Sequence, residues 1–163
     1  MQLIDIGANL THPAFHADLP AVLSRARQAG VSSMVVTGTS IAESTGALKL
    51  ATEHPNVFAT AGIHPHNARE CDATTIPALR VLAQNPKIVA IGECGLDFNR
   101  NYSPHPVQEK WFEAQIELAV EIKKPLFLHS RDAFESFAQI LKKYPLPSAV
   151  AHCFTGEKAE LHN

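Results

Sequence analysis

Three apolar runs in this chain each end on a side chain able to hold a divalent metal. They are Ile88-Val89-Ala90-Ile91-Gly92-Glu93, Pro125-Leu126-Phe127-Leu128-His129 and Ala149-Val150-Ala151-His152. Runs so short and so uniformly apolar read as strands buried on both faces, which is the pattern of parallel sheets covered by helices. A carboxylate and two imidazoles at the downstream ends of such strands converge at one end of the sheet. That end is where α/β proteins assemble their sites.

The rest of the chain fits the same frame. Strand-type runs at 3–9, 33–39, 57–64, 88–97, 125–130 and 149–154 alternate with helix-type segments, which predicts a parallel α/β fold. Ser40-Ile41-Ala42-Glu43 reads as a capping box, and Asp132-Ala133-Phe134-Glu135 has the same form. Ser103-Pro104 places a cap ahead of a first-turn proline, and Gly30 sits where a helix C-terminus would need it. Trp111, Ala114, Leu118 and Ile122 recur at helical spacing as a core-facing stripe. With 163 residues, one domain spanning 1–163 is expected. Six βα units are visible, whereas a closed (β/α)8 barrel has eight and about 250 residues. The expected fold is therefore a TIM-barrel-type α/β domain lacking two units.

Charge narrows the chemistry. A net charge of −2 supplies no basic face for tight, sequence-independent binding of duplex nucleic acid, so any such contact is local. The odd number of cysteines, Cys71, Cys94 and Cys153, argues against a disulfide framework. No apolar stretch approaches bilayer length and no signal-peptide pattern opens the chain, so a cytoplasmic protein without membrane partners is expected.

Period-2 geometry sorts the candidate site residues. Glu93 and Cys94 face opposite ways, while His129 and Arg131 share a face, a metal ligand beside a phosphate-binding fork. Gly62-Ile63-His64-Pro65-His66 follows an apolar run; His64 there could orient a phosphate or donate a proton. Asp5, Gly7 and Asn9 lie on one face of the first strand, as ligands or as an orienting pair. Each residue alone has an ordinary structural reading, a hydrogen-bonded core histidine or an ion-paired carboxylate. Together, imidazoles and a carboxylate are the donors of Zn, Mn or Mg sites, and metal-assisted hydrolysis is the reaction they point to. Tyr102, Lys123, Lys124, Lys142 and Lys143 read as solvated surface.

With these residues in view, the sequence resembles the TatD family of metal-dependent deoxyribonucleases. The matching segments run in the family's order: Asp5-Ile6-Gly7-Ala8-Asn9-Leu10-Thr11, Thr37-Gly38-Thr39, Gly62 to His66, Ile91-Gly92-Glu93-Cys94-Gly95-Leu96-Asp97-Phe98, Leu128-His129-Ser130-Arg131-Asp132 and His152-Cys153-Phe154-Thr155-Gly156. The resemblance implies a (β/α)8 barrel with Glu93, His129 and His152 as metal ligands; beside them, His64 and Arg131 are expected as the catalytic groups that steady the phosphate. Asp5, Asn9, His66 and Asp97 would line the site. It further implies 3′-to-5′ exonuclease action on single-stranded DNA or RNA ends, with Mg²⁺ (or Mn²⁺ or Zn²⁺) as cofactor. Two departures stand out. Gly7 and Asn9 replace the histidines of the family's Asp-x-His-x-His opening, which weakens a two-metal expectation. No Glu-Thr-Asp-x-Pro segment, source of the family's water-activating aspartate, follows His152. This chain is accordingly expected to be a poor enzyme that self-associates, its full-length form a monomer. The rival readings are an amide or ester hydrolase using the same cage, and an inactive metal-binding remnant.

Overall fold

The structure is a computed structural model that describes residues 2–162, with side chains through Glu160. Strands β1 (Leu3–Ala8), β2 (Val31–Val36), β3 (Val57–Ala61), β4 (Ile88–Asp97), β5 (Leu126–Arg131) and β6 (Ala149–Ala151) form one parallel sheet in chain order. Parallel neighbours require crossovers. Helices α1 (Leu19–Gln28), α2 (Ile41–Glu53), α3 (Thr75–Ala83), α4 (His105–Ile122) and α5 (Phe134–Leu141) supply them, and a 3₁₀ turn (Pro65–Glu70) precedes α3. This is the TIM-barrel-type architecture expected, with six of its strands.

Side chains alternate across the sheet. Met34 and Val36 are buried in the main core, whereas Val35 lines an apolar hollow with Ile6, Val89, Phe127 and Val150. The sheet is curled: a Cβ added at Gly7 of β1 would lie 3.6 Å from the Nδ1 of His152, just beyond β6. Opposite ends of the strand order meet only when a sheet bends as a barrel does. Register shifts help the bend. At one of them Gly92 pairs with Phe127 and Cys94 with Leu128, so Glu93 is the additional residue of a bulge. A bulge re-aims a side chain, and here that side chain is the carboxylate.

The sequence expectations need correction at several joints. β4 spans 88–97 as expected, but β2 and β3 end before Thr39 and His64. Those two residues pair with each other through the His64 N–H and the Thr39 carbonyl, 2.9 Å apart. β6 covers only Ala149–Ala151. Ser40 caps α2 by accepting the Glu43 N–H, and Gly30, at φ 94°, closes α1. Asp132 and Ser103 do not cap. Asp132 has φ 52° and its carboxylate accepts from the Asn99 amide, while Ser103 bridges the Arg69 N–H and the His66 carbonyl.

The core stripe of α4 is also displaced. Trp111, Ala114 and Ile122 are only half-buried, and the buried face carries Gln108, Phe112, Gln115, Ile116, Leu118 and Ala119. Two buried glutamines hide that face from a hydrophobicity pattern. Each serves backbone that hydrogen-bonds nowhere in the ladder. Gln115 Oε1 accepts from the Ile63 N–H at 2.7 Å and its Nε2 donates to the Ile63 carbonyl at 3.1 Å. Gln108 does the same for Asp97, at 2.9 and 3.0 Å. Gln115→Leu is expected to cost about 3 kcal/mol, because two buried backbone groups lose their partners. Urea denaturation measures it, and an unchanged midpoint would show that the glutamine is dispensable.

Candidate metal centre

The downstream ends of the strands enclose a cup of about 360 Å³, lined by Asn9, Thr39, His64, His66, Asn67, Glu93, Asp97, Arg100, His129 and Arg131. Glu93 Oε1 is its focus. His152 Nε2 lies 2.6 Å from that oxygen, His129 Nδ1 3.2 Å and His64 Nε2 3.7 Å. A second carboxylate stands beside it: Asp97 Oδ2 is 2.7 Å from His66 Nε2 and 3.4 Å from His129 Nε2. The structure thus gathers seven of the sequence-predicted site residues, Glu93, His129, His152, His64, His66, Asp97 and Arg131, and Asn9 lines the same rim. Asp5 is the exception. It does not line the cup, and its carboxylate accepts the N–H of Gly7 within its own strand.

Several contacts fix the imidazoles. Phe127 stacks on His152 with ring centroids 4.5 Å apart, and the His152 N–H donates to the Leu128 carbonyl. His64 Nδ1 accepts the N–H of His66 at 3.1 Å, so a neutral His64 carries its proton on Nε2, toward the cup. Burial pushes the His64 pKa down to about 3 although Glu93 pulls the other way, so at neutral pH His64 is a hydrogen-bond donor. Burial alone would raise Glu93, but hydrogen bonds from His129 and His152 hold it well below the usual carboxylate range. Asp97, also raised by burial, is brought to about 2 by the Arg100 N–H and by His66. Cys94 is fully buried in the main core, where burial raises its thiol.

This donor set fits a divalent cation. One ligand atom each from His64, Glu93 and His129 lies within 4.8 Å of the others, the compact cluster found among the described residues. His129 Nε2 is buried without a hydrogen-bond partner, a costly state that a ligand would relieve. Ionised carboxylates surrounded by imidazoles are what such ions select. Thr39 appeared in the sequence only within a matching segment, and Asn67 and Arg100 were not singled out. Asn67 sits in the short 3₁₀ turn and Arg100 on a loop, neither with a periodic signal, and Thr39 is placed by its bond to His64.

A curled parallel sheet with a carboxylate–imidazole cup at its downstream edge is a barrel-type fold with a candidate metal site. Residues 4–163 match the family described as TatD related DNase, and the chain belongs to that family. It is 52% identical over 99% of its length to the 3′-5′ ssDNA/RNA exonuclease TatD of Erwinia amylovora, of which it covers 63%. It is 47% identical to the protein of that name from Salmonella typhimurium, of which it covers 62%. The crystal structure of a TatD homologue from Escherichia coli K12 superposes with a TM-score of 0.91 at 31% identity, over 98% of this chain and 63% of that one. The chain thus spans a little under two thirds of these relatives. Among the described residues, no helix is long and apolar enough to cross a membrane.

Proposed function

We propose that this site serves divalent-metal-dependent hydrolysis of phosphodiesters, as a 3′-to-5′ exonuclease on single-stranded DNA or RNA ends. The observation that supports it best is the convergence of His129, His152 and His64 on one ionised carboxylate oxygen of Glu93. Glu93, His129 and His152 would hold the cation, with Mg²⁺ the first choice and Mn²⁺ or Zn²⁺ compatible with the same donors. A cation bound there supplies Lewis acidity at the phosphoryl oxygen and lowers the pKa of water. His64 presents Nε2–H to the cup at a distance from Glu93 too long for a hydrogen bond, so that donor is free for a phosphate oxygen. Arg131, on the face of β5 that carries His129, offers its planar fork to the same charge. Asp97 holds His66 and the following loop, which keeps the rim rigid. The names of the relatives support the choice of single-stranded DNA and RNA as substrates, and the reading places the protein in the cytoplasm.

The cage by itself accepts phosphorus or carbon electrophiles. A chain extended to the relatives' full length should cleave single-stranded oligonucleotides and leave lactones and cyclic amides untouched. Preference for the lactone would overturn the nuclease reading. The 163-residue chain by itself is expected to self-associate, because β1 and β6 are both open edges and Leu3, Ile4, Ile6 and Val150 are exposed. Light scattering tests this, and a monodisperse monomer would contradict it. The extended form is expected to be monomeric.

A further inference from the structure

We infer that the loop joining β4 to α4 is the single-strand grip of this site: Arg100 holds a phosphate next to the scissile one, and Tyr102 stacks on the terminal base. The inference rests on the nuclease reading and adds the residues that recognise the strand.

Arg100 is exposed, yet it lines the cup with Arg131. Among the described residues its guanidinium has no carboxylate partner, unlike Arg25, paired with Asp18, and Arg80, paired with Glu121. The nearby carboxylates are engaged by imidazoles instead, Glu93 by His129 and His152, and Asp97 by His66. An unpaired guanidinium at the rim of a cup whose own anions are satisfied suits an incoming anion, and its planar fork matches a phosphate.

Tyr102, read from the sequence as plain surface, is 56% exposed. Its ring meets His66 in a T-shaped contact, with centroids 4.8 Å apart and planes at 78°. Such a contact engages at most one face of the phenol, and more than half of the residue stays exposed next to His66, which lines the cup. Sequence-tolerant proteins hold single strands with this pairing, a cation on the backbone and an aromatic face under a base.

The loop is set in advance. Asp97 Oδ1 accepts the N–H groups of Asn99 and Arg100, at 3.0 and 2.9 Å. Asn101 Nδ2 donates to the Phe98 carbonyl, and Phe98 stacks on His105 with centroids 3.7 Å apart. Farther along, Ser103 is fully buried, and Gln108 Nε2 donates to its carbonyl. A rigid loop loses little freedom on binding. It also links grip to chemistry, because the carboxylate that shapes the loop is the one that holds His66.

The test uses the 163-residue chain in Mg²⁺ with a short phosphorothioate single-stranded DNA carrying 2-aminopurine at its 3′ end, whose fluorescence falls on stacking. Tyr102→Ala should abolish most of the quenching and weaken binding roughly tenfold to a hundredfold, the range of one base–aromatic stack. Tyr102→Phe should restore both. Arg100→Ala should weaken binding for every base sequence and reduce the slope of log K against log salt by roughly 0.7, one single-strand phosphate contact. Arg27→Ala, on the far side of the molecule, serves as the control and should match the parent. If the parent binds and quenches but both loop variants behave like it, the inference is wrong and the nuclease reading stands. If the parent does not bind the strand at all, the inference is overturned, while the nuclease reading is decided by cleavage with the extended chain.

Discussion

Replacing His129 with alanine is expected to weaken divalent-cation binding by at least about a hundredfold. Removing a mere hydrogen-bond partner of a ligand typically costs tenfold to a hundredfold, and His129 is a candidate ligand itself, with Nδ1 3.2 Å from the focal oxygen of Glu93. Glu93→Ala should exceed it, because that carboxylate supplies the negative charge shared by three imidazoles. Calorimetric titration of Mn²⁺ or Mg²⁺ into parent and variants measures the change. Equal affinities would mean that the ion, if any, is held elsewhere.

The second large effect belongs to a residue without a side chain. Gly95 adopts φ +143°, and a methyl group there would overlap the backbone carbonyl oxygen of His129. Gly92, at φ +136°, stands in the same relation to Phe127. Neither conformation suits an L side chain, and a clash with backbone is not relieved by rotation of a neighbour. Gly95→Ala is therefore expected to cost 4 kcal/mol or more by order of magnitude, a large share of a domain's total stability. For a chain of this size that lowers the melting temperature by roughly 10 °C or more. It also pushes His129 away from Glu93. A variant with the parent's melting temperature would show that β4 and β5 are not packed as described.

How far the sequence carried differs from residue to residue. Glu93 and His129 were legible because short apolar runs mark buried strands, and the residue at a strand's end occupies the rim of a parallel sheet; His152 followed from the same pattern, although Ala149–Ala151 is exposed at the open edge rather than buried. Arg131 followed from strand periodicity alone, and it lines the cup beside His129. Gln108 and Gln115 were hidden because a hydrophobicity pattern treats polar residues as surface. Yet their heptad spacing among Phe112, Ile116 and Ala119 marks them as members of the buried face. Ser103 and Asp132 carried the right residue type for a cap, but their side chains bond to other segments of the chain, where tertiary contacts outweigh a local motif. Periodicity paired Asp5 with Asn9, but β1 shifts register between Asp5 and Ala8 and Asn9 lies beyond the strand, so only Asn9 lines the cup. Arg100 and Tyr102 lie on a loop whose shape is fixed by Asp97, a contact between residues only two or three apart that no periodicity reports.

The most direct test of the account is a time course on a 5′-labelled single-stranded oligonucleotide. It compares a chain extended to the length of its relatives with the same chain carrying Glu93→Ala, in Mg²⁺ and in EDTA. The account predicts a ladder that shortens from the 3′ end in Mg²⁺, absent in EDTA and absent in the variant. Cleavage that persists without Glu93, or internal nicking of duplex with single strands untouched, would contradict it.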